Sequence, residues 1–229
     1  MSPGRFRLIE VNAAFRDAGA ARPVRHPSED ALALRAAGRL PAGWALVIDA
    51  HLPFCRECRD IVRSHEALGG ALLADLPDTV MAPDALARTL ARLDQTAAAP
   101  DGLTQFTKAD DIVDLTRTGW RWIGPGVRRA RLAVPGTKPG ENVYLLRVDP
   151  GRPVPDHGHD GWELTCILTG RYVDATGTYG PGDVADLDAD TIHQPVAGPD
   201  EVCVCLIASM GKPRMKTVFA RIAQTLVGA

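Results

Sequence analysis

The sequence changes character once, near residue 100. This change indicates two domains of different secondary structure that follow one another along the chain. From about residue 28 to 95 it is rich in Ala, Leu and Arg at helical spacing, as in SEDALALRAAGRL and PDALARTLARLDQ. After the segment TAAAPDG, short β-type runs such as NVYLLRV and EVCVCLIAS alternate with Gly, Pro and Asp turns. We therefore predict an α+β multi-domain chain, with a small helical bundle followed by a β-sandwich or barrel.

Charge and apolar content argue against several functions. The 229 residues carry a net charge of −2 with a pI near 6.3, so no basic surplus predicts direct binding to nucleic acid. No apolar run approaches the roughly 20 residues that a membrane-spanning helix needs, and the first residues lack the apolar core of a signal peptide. We expect a cytoplasmic protein without a membrane contact. Its five cysteines are then metal ligands or free thiols rather than a disulfide framework.

The stretch HLPFCREC, residues 51–58, contains a candidate metal site. If it is helical, His51, Cys55 and Cys58 share one narrow stripe, because they are spaced i, i+4 and i+7. Zinc takes four N or S ligands, so one donor is missing. His26, the other histidine of this half that precedes a helix, completes the pattern H-x24-H-x3-C-x2-C.

Three alternatives compete with this zinc site. A redox C-x-x-C pair belongs at a helix start in a βαβ setting, which this half does not show. The cysteines could also be chance members of a core. His65 is the rival fourth ligand, but its polar neighbours in RSHEA favour a solvated helix face.

A second metal motif lies in the β half, in GRPVPDHGHDGWELTCILTG, residues 151–170. His157 and His159 point to one face of a strand because side chains alternate with period two, and Glu163 on the next segment can face them across a hairpin. The histidine that remains, His193, can supply a fourth ligand. Three imidazoles and a carboxylate suit Zn, Fe, Mn or Ni about equally well.

These two motifs together resemble a known family. Residues 151–170 match the first cupin motif throughout, and residues 182–197 resemble the second, whose usual form is G-x5-P-x-G-x2-H-x3-N. Gly182 and His193 are in place, whereas the usual Pro, Gly and Asn are replaced by Asp188, Asp190 and Ala197. A cupin preceded by H-x24-H-x3-C-x2-C is similar to the ChrR family of zinc anti-sigma factors, from about residue 26 to the C-terminus.

The resemblance implies a fold and its boundaries. The β half is expected to be a cupin barrel, also called a double-stranded β-helix or jelly roll, at residues 105–229. It follows a zinc-binding helical anti-sigma domain at 26–95 and a linker at 96–104. Residues 1–25 lie outside the resemblance as an N-terminal extension. The last stretch, KTVFARIAQTLVGA, is a strand or a helix on its periodicity.

The resemblance also implies a function. Members of this family sequester an extracytoplasmic-function type sigma factor through the helical zinc domain and release it when the cupin senses a stress signal. The expected partner is thus a sigma factor, and a small molecule or an oxidant is the expected signal at the cupin site. Zinc is expected in the helical domain, and zinc or another divalent metal in the cupin. By position, the implied metal ligands are His26, His51, Cys55 and Cys58, then His157, His159, Glu163 and His193.

Two other functions fit the same cupin site. One is a metal-dependent enzyme of dioxygenase or isomerase type, for which Tyr144, Tyr172 or Glu201 could move protons. The other is binding of a small ligand without turnover. The zinc site of the helical half favours regulation, because an enzyme would not need it.

The helices and the last β run carry further candidates. Apolar helix positions that could meet a partner, or equally form an ordinary core, are Leu32, Leu34, Leu40, Leu86, Leu90 and Leu93. Cys203 and Cys205, two apart on a strand, share one side, which is either a plain core face or the metal-facing interior. Val202, Val204 and Leu206 take the other side. Cys166 is expected to be a buried core residue.

Overall fold

The protein is described by a computed structural model over residues 22–93, 119–211 and 213–215. Four helices lie in the first of these ranges: α1 (Glu29–Ala36), α2 (Ala42–His51), α3 (Arg56–Ala74) and α4 (Ala85–Leu93). No described helix has the length and apolar content to cross a membrane. The predicted linker 96–104 and the segment 216–229 lie outside the described residues.

All described strands follow the helices, which agrees with the order predicted from the sequence. They are β1 (Arg121–Gly124), β2 (Val127–Arg131), β3 (Glu141–Val148), β4 (His157–Gly158), β5 (Glu163–Thr169), β6 (Tyr172–Asp174), β7 (Gly177–Tyr179), β8 (Val184–Leu187), β9 (Val196–Ala197), β10 (Cys203–Met210) and β11 (Arg214–Met215). Six form one antiparallel sheet in the order β1-β2-β3-β10-β5-β8, and the others form the sheets β7-β6-β9 and β11-β4.

The central strand β10 separates two apolar cores by simple alternation. Cys203, Cys205 and Ile207 belong to a core inside the barrel, together with Tyr172 and Tyr179. The residues that alternate with these three on β10 face the helices instead. They are Val204, Leu206 and Ala208. The predicted separation of the two cysteines from Val204 and Leu206 is therefore confirmed.

The outer face of the large sheet forms one continuous core with the helices. Trp44 and Ile48 of α2 pack there with Leu145, Leu164 and Leu206 of the sheet. The Trp44 and Trp162 rings lie 5.7 Å apart between centroids. Leu32, one of the candidate docking residues, is only 1% exposed in this core and cannot offer its side chain to a partner. The helical half therefore derives part of its stability from the barrel.

Helix α2 approaches the sheet most closely at Gly43. A Cβ added there would lie 2.5 Å from Val143 Cγ2 and 3.3 Å from Ala208 Cβ. Gly costs helix stability relative to Ala, so its presence near the start of α2 is explained by this contact and not by helix propensity.

We expect Gly43→Ala to lower the free energy of unfolding of the full chain by about 1–3 kcal/mol, because the added methyl group overpacks the helix–sheet contact. The measurement is denaturant unfolding followed by circular dichroism. Gly70→Ala is the matched control, since a Cβ at this position of α3 meets nothing within 4 Å. It should leave stability unchanged or raise it by up to about 1 kcal/mol. Equal effects of the two substitutions would contradict the packing account.

Candidate metal centres

Four side chains converge where α2 meets α3. His26 precedes α1, His51 is the last residue of α2, Cys55 caps α3, and Cys58 lies in its first turn. One ligand atom from each lies within 4.8 Å of all the others. We call these four residues the clip. They are the set that the spacing H-x24-H-x3-C-x2-C predicted.

The spacing predicts one ligand stripe only if residues 51–58 are helical. The chain is not a continuous helix over these residues, so this expectation is wrong. Pro53 has no N–H to continue the helical ladder, and α2 ends at His51. The guanidinium of Arg59 donates to the carbonyls of Leu52 at 2.5 Å and Pro53 at 2.9 Å, which fixes the turn. The ligands therefore converge across a helix junction instead of along one helix stripe.

The distances from His26 to the two sulfurs of the clip fit a tetrahedral metal. His26 Nδ1 lies 3.4 Å from Cys55 Sγ and 3.5 Å from Cys58 Sγ. Ligand atoms bound to one tetrahedral zinc at 2.0–2.3 Å would be roughly 3.3–3.8 Å apart. The donor set of two thiols and two imidazoles is also the one that structural zinc sites use.

An orphaned polar atom supports the same fit. His51 is completely buried, and its Nδ1 must carry the proton because it lies 2.5 Å from the carbonyl oxygen of Gly182, which can only accept. Its Nε2 is buried with no hydrogen-bond partner among the described residues. Burial lowers the pKa of His51, which leaves the imidazole neutral and able to donate a lone pair. A buried acceptor of this kind calls for a bound cation.

The two thiols lie at the N-terminus of α3, where the helix dipole favours a thiolate. Cys55 Sγ accepts a hydrogen bond from the Cys58 N–H at 3.4 Å. Burial and the neighbouring Cys55 nevertheless raise the pKa of Cys58 to about 12. A thiolate therefore forms at Cys58 only with a strong cation beside it, and metal binding must displace the proton.

His65, the rival fourth ligand, is not part of the clip. It lies on the exposed side of α3, as its polar neighbours predicted.

The second cluster lies inside the barrel and consists of His157, His159 and His193. Their ligand atoms also lie within 4.8 Å of one another. His157 and His193 form a β-bridge in which each N–H donates to the other's carbonyl, at 3.1 and 3.0 Å. His159 Nε2 lies 3.2 Å from His193 Nε2. The predicted histidines are thus brought together by backbone pairing of two distant segments.

Each imidazole of this cluster is oriented through its Nδ1. His157 donates to the carbonyl of Pro155 at 2.7 Å, and His193 donates to the Asp174 carboxylate at 2.8 Å. Oxygen acceptors at Nδ1 fix the tautomer that leaves Nε2 for a metal. Burial alone would raise the pKa of Asp174, but its bonds from Thr176 and His193 lower it. Nothing in the sequence pattern around Asp174 pointed to this role.

Glu163 lies beside the three histidines but outside their group of converging atoms. Its Oε2 is 3.2 Å from His159 Nδ1. Glu163 therefore accepts from His159 as Pro155 and Asp174 accept from the other two imidazoles. Burial would raise the pKa of Glu163, but the hydrogen bond from His159 and the nearby imidazoles lower it, so the carboxylate is charged.

A cavity of about 310 Å³ opens onto this cluster. Its wall includes His157, Glu163 and His193 together with Cys203 and Cys205, so the two cysteines do face the interior. Their sulfurs are 3.6 Å apart. The hydrogen bond with Cys203, together with burial, raises the pKa of Cys205 well above its ordinary value, so the thiol form persists at neutral pH.

Two comparisons agree on the family of this chain. The sequence profile of the ChrR cupin-like domain matches residues 108–211. The anti-sigma-E factor ChrR of Cereibacter sphaeroides is 34% identical over 209 residues, which cover 88% of this chain and 97% of that protein.

A solved structure shows the same architecture. The crystal structure of Rhodobacter sphaeroides SigE in complex with the anti-sigma ChrR matches with a TM-score of 0.69 and 35% identity, over 81% of this chain and 98% of that one. The predicted fold, a helical domain followed by a cupin barrel, is therefore confirmed. The extent and identity of the match show that this chain belongs to the ChrR family of anti-sigma factors.

Proposed function

We propose that this chain is an anti-sigma factor that binds an extracytoplasmic-function type sigma factor and keeps it from RNA polymerase. Its family membership and the similar ChrR, which was crystallised in complex with SigE, support this role. The place of action is then the cytoplasm, where a sigma factor meets the polymerase. The observation that carries the proposal is an apolar helical surface that the rest of the described chain leaves uncovered.

This surface, which we call the leucine face, comprises exposed apolar residues of the second half of α3, of the amphipathic helix α4 and of the segment between them. Its leucines are each more than half exposed: Leu68, Leu72, Leu73, Leu76, Leu86 and Leu90. Val80 and Met81, between the helices, are 97% and 75% exposed. An exposed apolar area of this extent marks a binding surface in a stable protein. Leu86 and Leu90 were predicted as docking residues; the side chain of Leu93 lies outside the described set.

The chemistry of the leucine face suits a helical protein partner. Leucines at i and i+4, such as Leu68 and Leu72 or Leu86 and Leu90, form the stripe that packs against an apolar helix or groove. The opposite side of α4 carries Arg88, which pairs with Asp84 at 3.5 Å and keeps that side in solvent. We infer that a sigma factor covers this stripe.

We propose that the clip binds zinc and that the barrel binds a second divalent metal. The buried, unpartnered Nε2 of His51 supports the first site, and the three oriented imidazoles support the second. In the barrel, Glu163 orients His159 through Oε2, and its charged carboxylate, which lines the same cavity, is proposed to supply a fourth ligand through the other oxygen. A structural zinc contributes roughly 10–16 kcal/mol of apparent folding free energy in small domains, so the clip would hold α1, α2 and α3 together.

We propose that the barrel senses the signal that releases the sigma factor. A small molecule or oxidant can enter the cavity of about 310 Å³ and alter coordination at the metal, next to the thiols of Cys203 and Cys205. Tyr172 also lines this cavity.

The contacts around the cavity favour sensing over catalysis. Burial raises the pKa of both Tyr144 and Tyr172 well above the ordinary value, so neither phenol is a base at neutral pH. Glu201, the third candidate, is exposed and does not line the cavity. We therefore propose that the chain is not an enzyme.

The leucine face can be tested by charge insertion. We expect Leu72→Asp with Leu86→Asp to weaken binding of the cognate sigma factor about thirtyfold or more, because the loss of even one central apolar anchor costs about 2 kcal/mol or more in such interfaces. The measurement is titration of the purified sigma factor by calorimetry. Val173→Asp, at a 47% exposed position of the barrel, is the control and should bind as the parent does. Unchanged binding by the double variant would refute the proposed docking surface.

The sensing role can be tested separately. His159→Ala removes one imidazole of the barrel site and leaves the leucine face and the clip intact. We expect it to bind the sigma factor normally but to block induction of a sigma-dependent reporter gene by the stress that releases the parent complex. Cys203→Ser with Cys205→Ser should block induction as well, provided the thiols take part in the signal. Full induction in the His159→Ala strain would place the sensor elsewhere, most simply at the thiols of the clip.

A further inference from the structure

A tight turn of the barrel, residues 180–183, lies directly over the clip. The N–H of Gly180 donates to the Asp183 carboxylate at 2.8 Å, and the Asp183 N–H donates back to the Gly180 carbonyl at 2.9 Å. The turn precedes β8, and Asp183 is only 5% exposed. We call this segment the support turn. It belongs to the barrel in sequence and bonds to Ile167 of β5, and it also contacts the helical half.

One set of contacts fixes the backbone before His26. Asp183 Oδ1 accepts hydrogen bonds from the N–H groups of Val24 at 2.7 Å and Arg25 at 2.9 Å. The carbonyl of Arg25 accepts from the Val184 N–H at 3.1 Å. The residue next to a clip ligand is therefore held on one side by the support turn and on the other by the first residue of β8.

A second contact fixes His51 itself. Its Nδ1–H donates to the carbonyl of Gly182, which leaves Nε2 for the metal. No larger residue fits at this position: Gly182 has a φ of +83°, and a Cβ would lie 2.9 Å from both Phe54 and Pro23. Phe54 belongs to the turn between His51 and Cys55, and Pro23 to the segment before His26.

We propose that the support turn positions His26 and His51, so that the clip holds its metal tightly only while the barrel is docked against the helices. Outer groups that orient metal-bound imidazoles typically contribute 10–100-fold to metal affinity. The inference rests on the proposed metal in the clip and goes beyond it, because it makes the clip's affinity a property of both halves of the chain.

The support turn is also connected to the second metal site. It leads into β8, which pairs with β5 in a register that sets Leu187 opposite Glu163. Asp186 of β8 accepts from Trp162 Nε1 at 2.6 Å and from the Ser28 N–H at 3.0 Å. A displacement of β8 would thus reach both the barrel's metal cluster and the residues that precede α1.

Asp183→Ala in the full-length, zinc-loaded protein tests the proposal. We expect Cys55 and Cys58 to be alkylated roughly tenfold faster or more in the presence of a fixed concentration of chelator, as located by peptide mass spectrometry, because zinc leaves the clip more readily. Gly182→Ala should act in the same direction by displacing Phe54 and Pro23. Added zinc should restore protection in both variants, and the circular dichroism of each zinc-loaded variant should match that of the parent, which it would not do if the clip had unfolded.

Asp188→Ala is the matched control, since Asp188 also accepts N–H groups of its own turn, from Asp190 and Thr191, but on the barrel away from the clip. It should be alkylated at the parental rate. Parental rates in both Asp183→Ala and Gly182→Ala would overturn the proposal. If those variants do not fold, nitrogen NMR of the zinc-loaded parent tests the proposal instead. A protonated Nδ1 on His51 would support the proposed role of the support turn, and a metal-bound Nδ1 would overturn it. Failure of the parent to bind metal at the clip would instead refute the proposed zinc site on which this inference rests.

Discussion

Two thiols and two imidazoles lie within 4.8 Å of one another at the junction of α2 and α3, and three of the four residues are buried. Buried polar groups in such a cluster are costly unless they bind one another or a cation. The arrangement of the helical half depends on meeting this requirement, because α1 and α3 are joined through the segments that carry His26, Cys55 and Cys58. A bound metal would use His51 Nε2, the buried nitrogen of the clip that has no hydrogen-bond partner among the described residues.

The two halves of the chain pack against each other. Helix α2 packs on the outer face of the large sheet through Trp44 and Ile48. The support turn contacts the clip ligand His51 and also Arg25, the residue before the ligand His26. The barrel therefore has an interior with a histidine cluster and a cavity, and an exterior that packs against the helices. The leucine face of α3 and α4 lies outside this shared core, which leaves it available to a partner.

Local patterns allowed much of this structure to be predicted. The order of helices and strands follows from periodicity, and the clip and the three barrel histidines follow from short, specific spacings. The break at Pro53 had a clear sequence signal, since proline cannot continue a helical ladder. The contact of Gly182 with His51 had none, because the two residues are 131 positions apart and meet only through tertiary packing. The same holds for Asp174 at His193, and for the placement of Glu163 beside His159 instead of among the converging nitrogens.

The clip is proposed to hold a metal through two sulfur and two nitrogen ligands. X-ray absorption spectroscopy of the purified full-length protein, after mild chelation to remove exchangeable metal, measures this ligand set. We predict one zinc per chain with two sulfur ligands near 2.3 Å and two nitrogen ligands near 2.0 Å, because thiolates hold zinc more firmly than an imidazole and carboxylate set does. The Cys55→Ser, Cys58→Ser double variant should lose this signal. A parent protein that retains no metal with sulfur ligation would contradict the account.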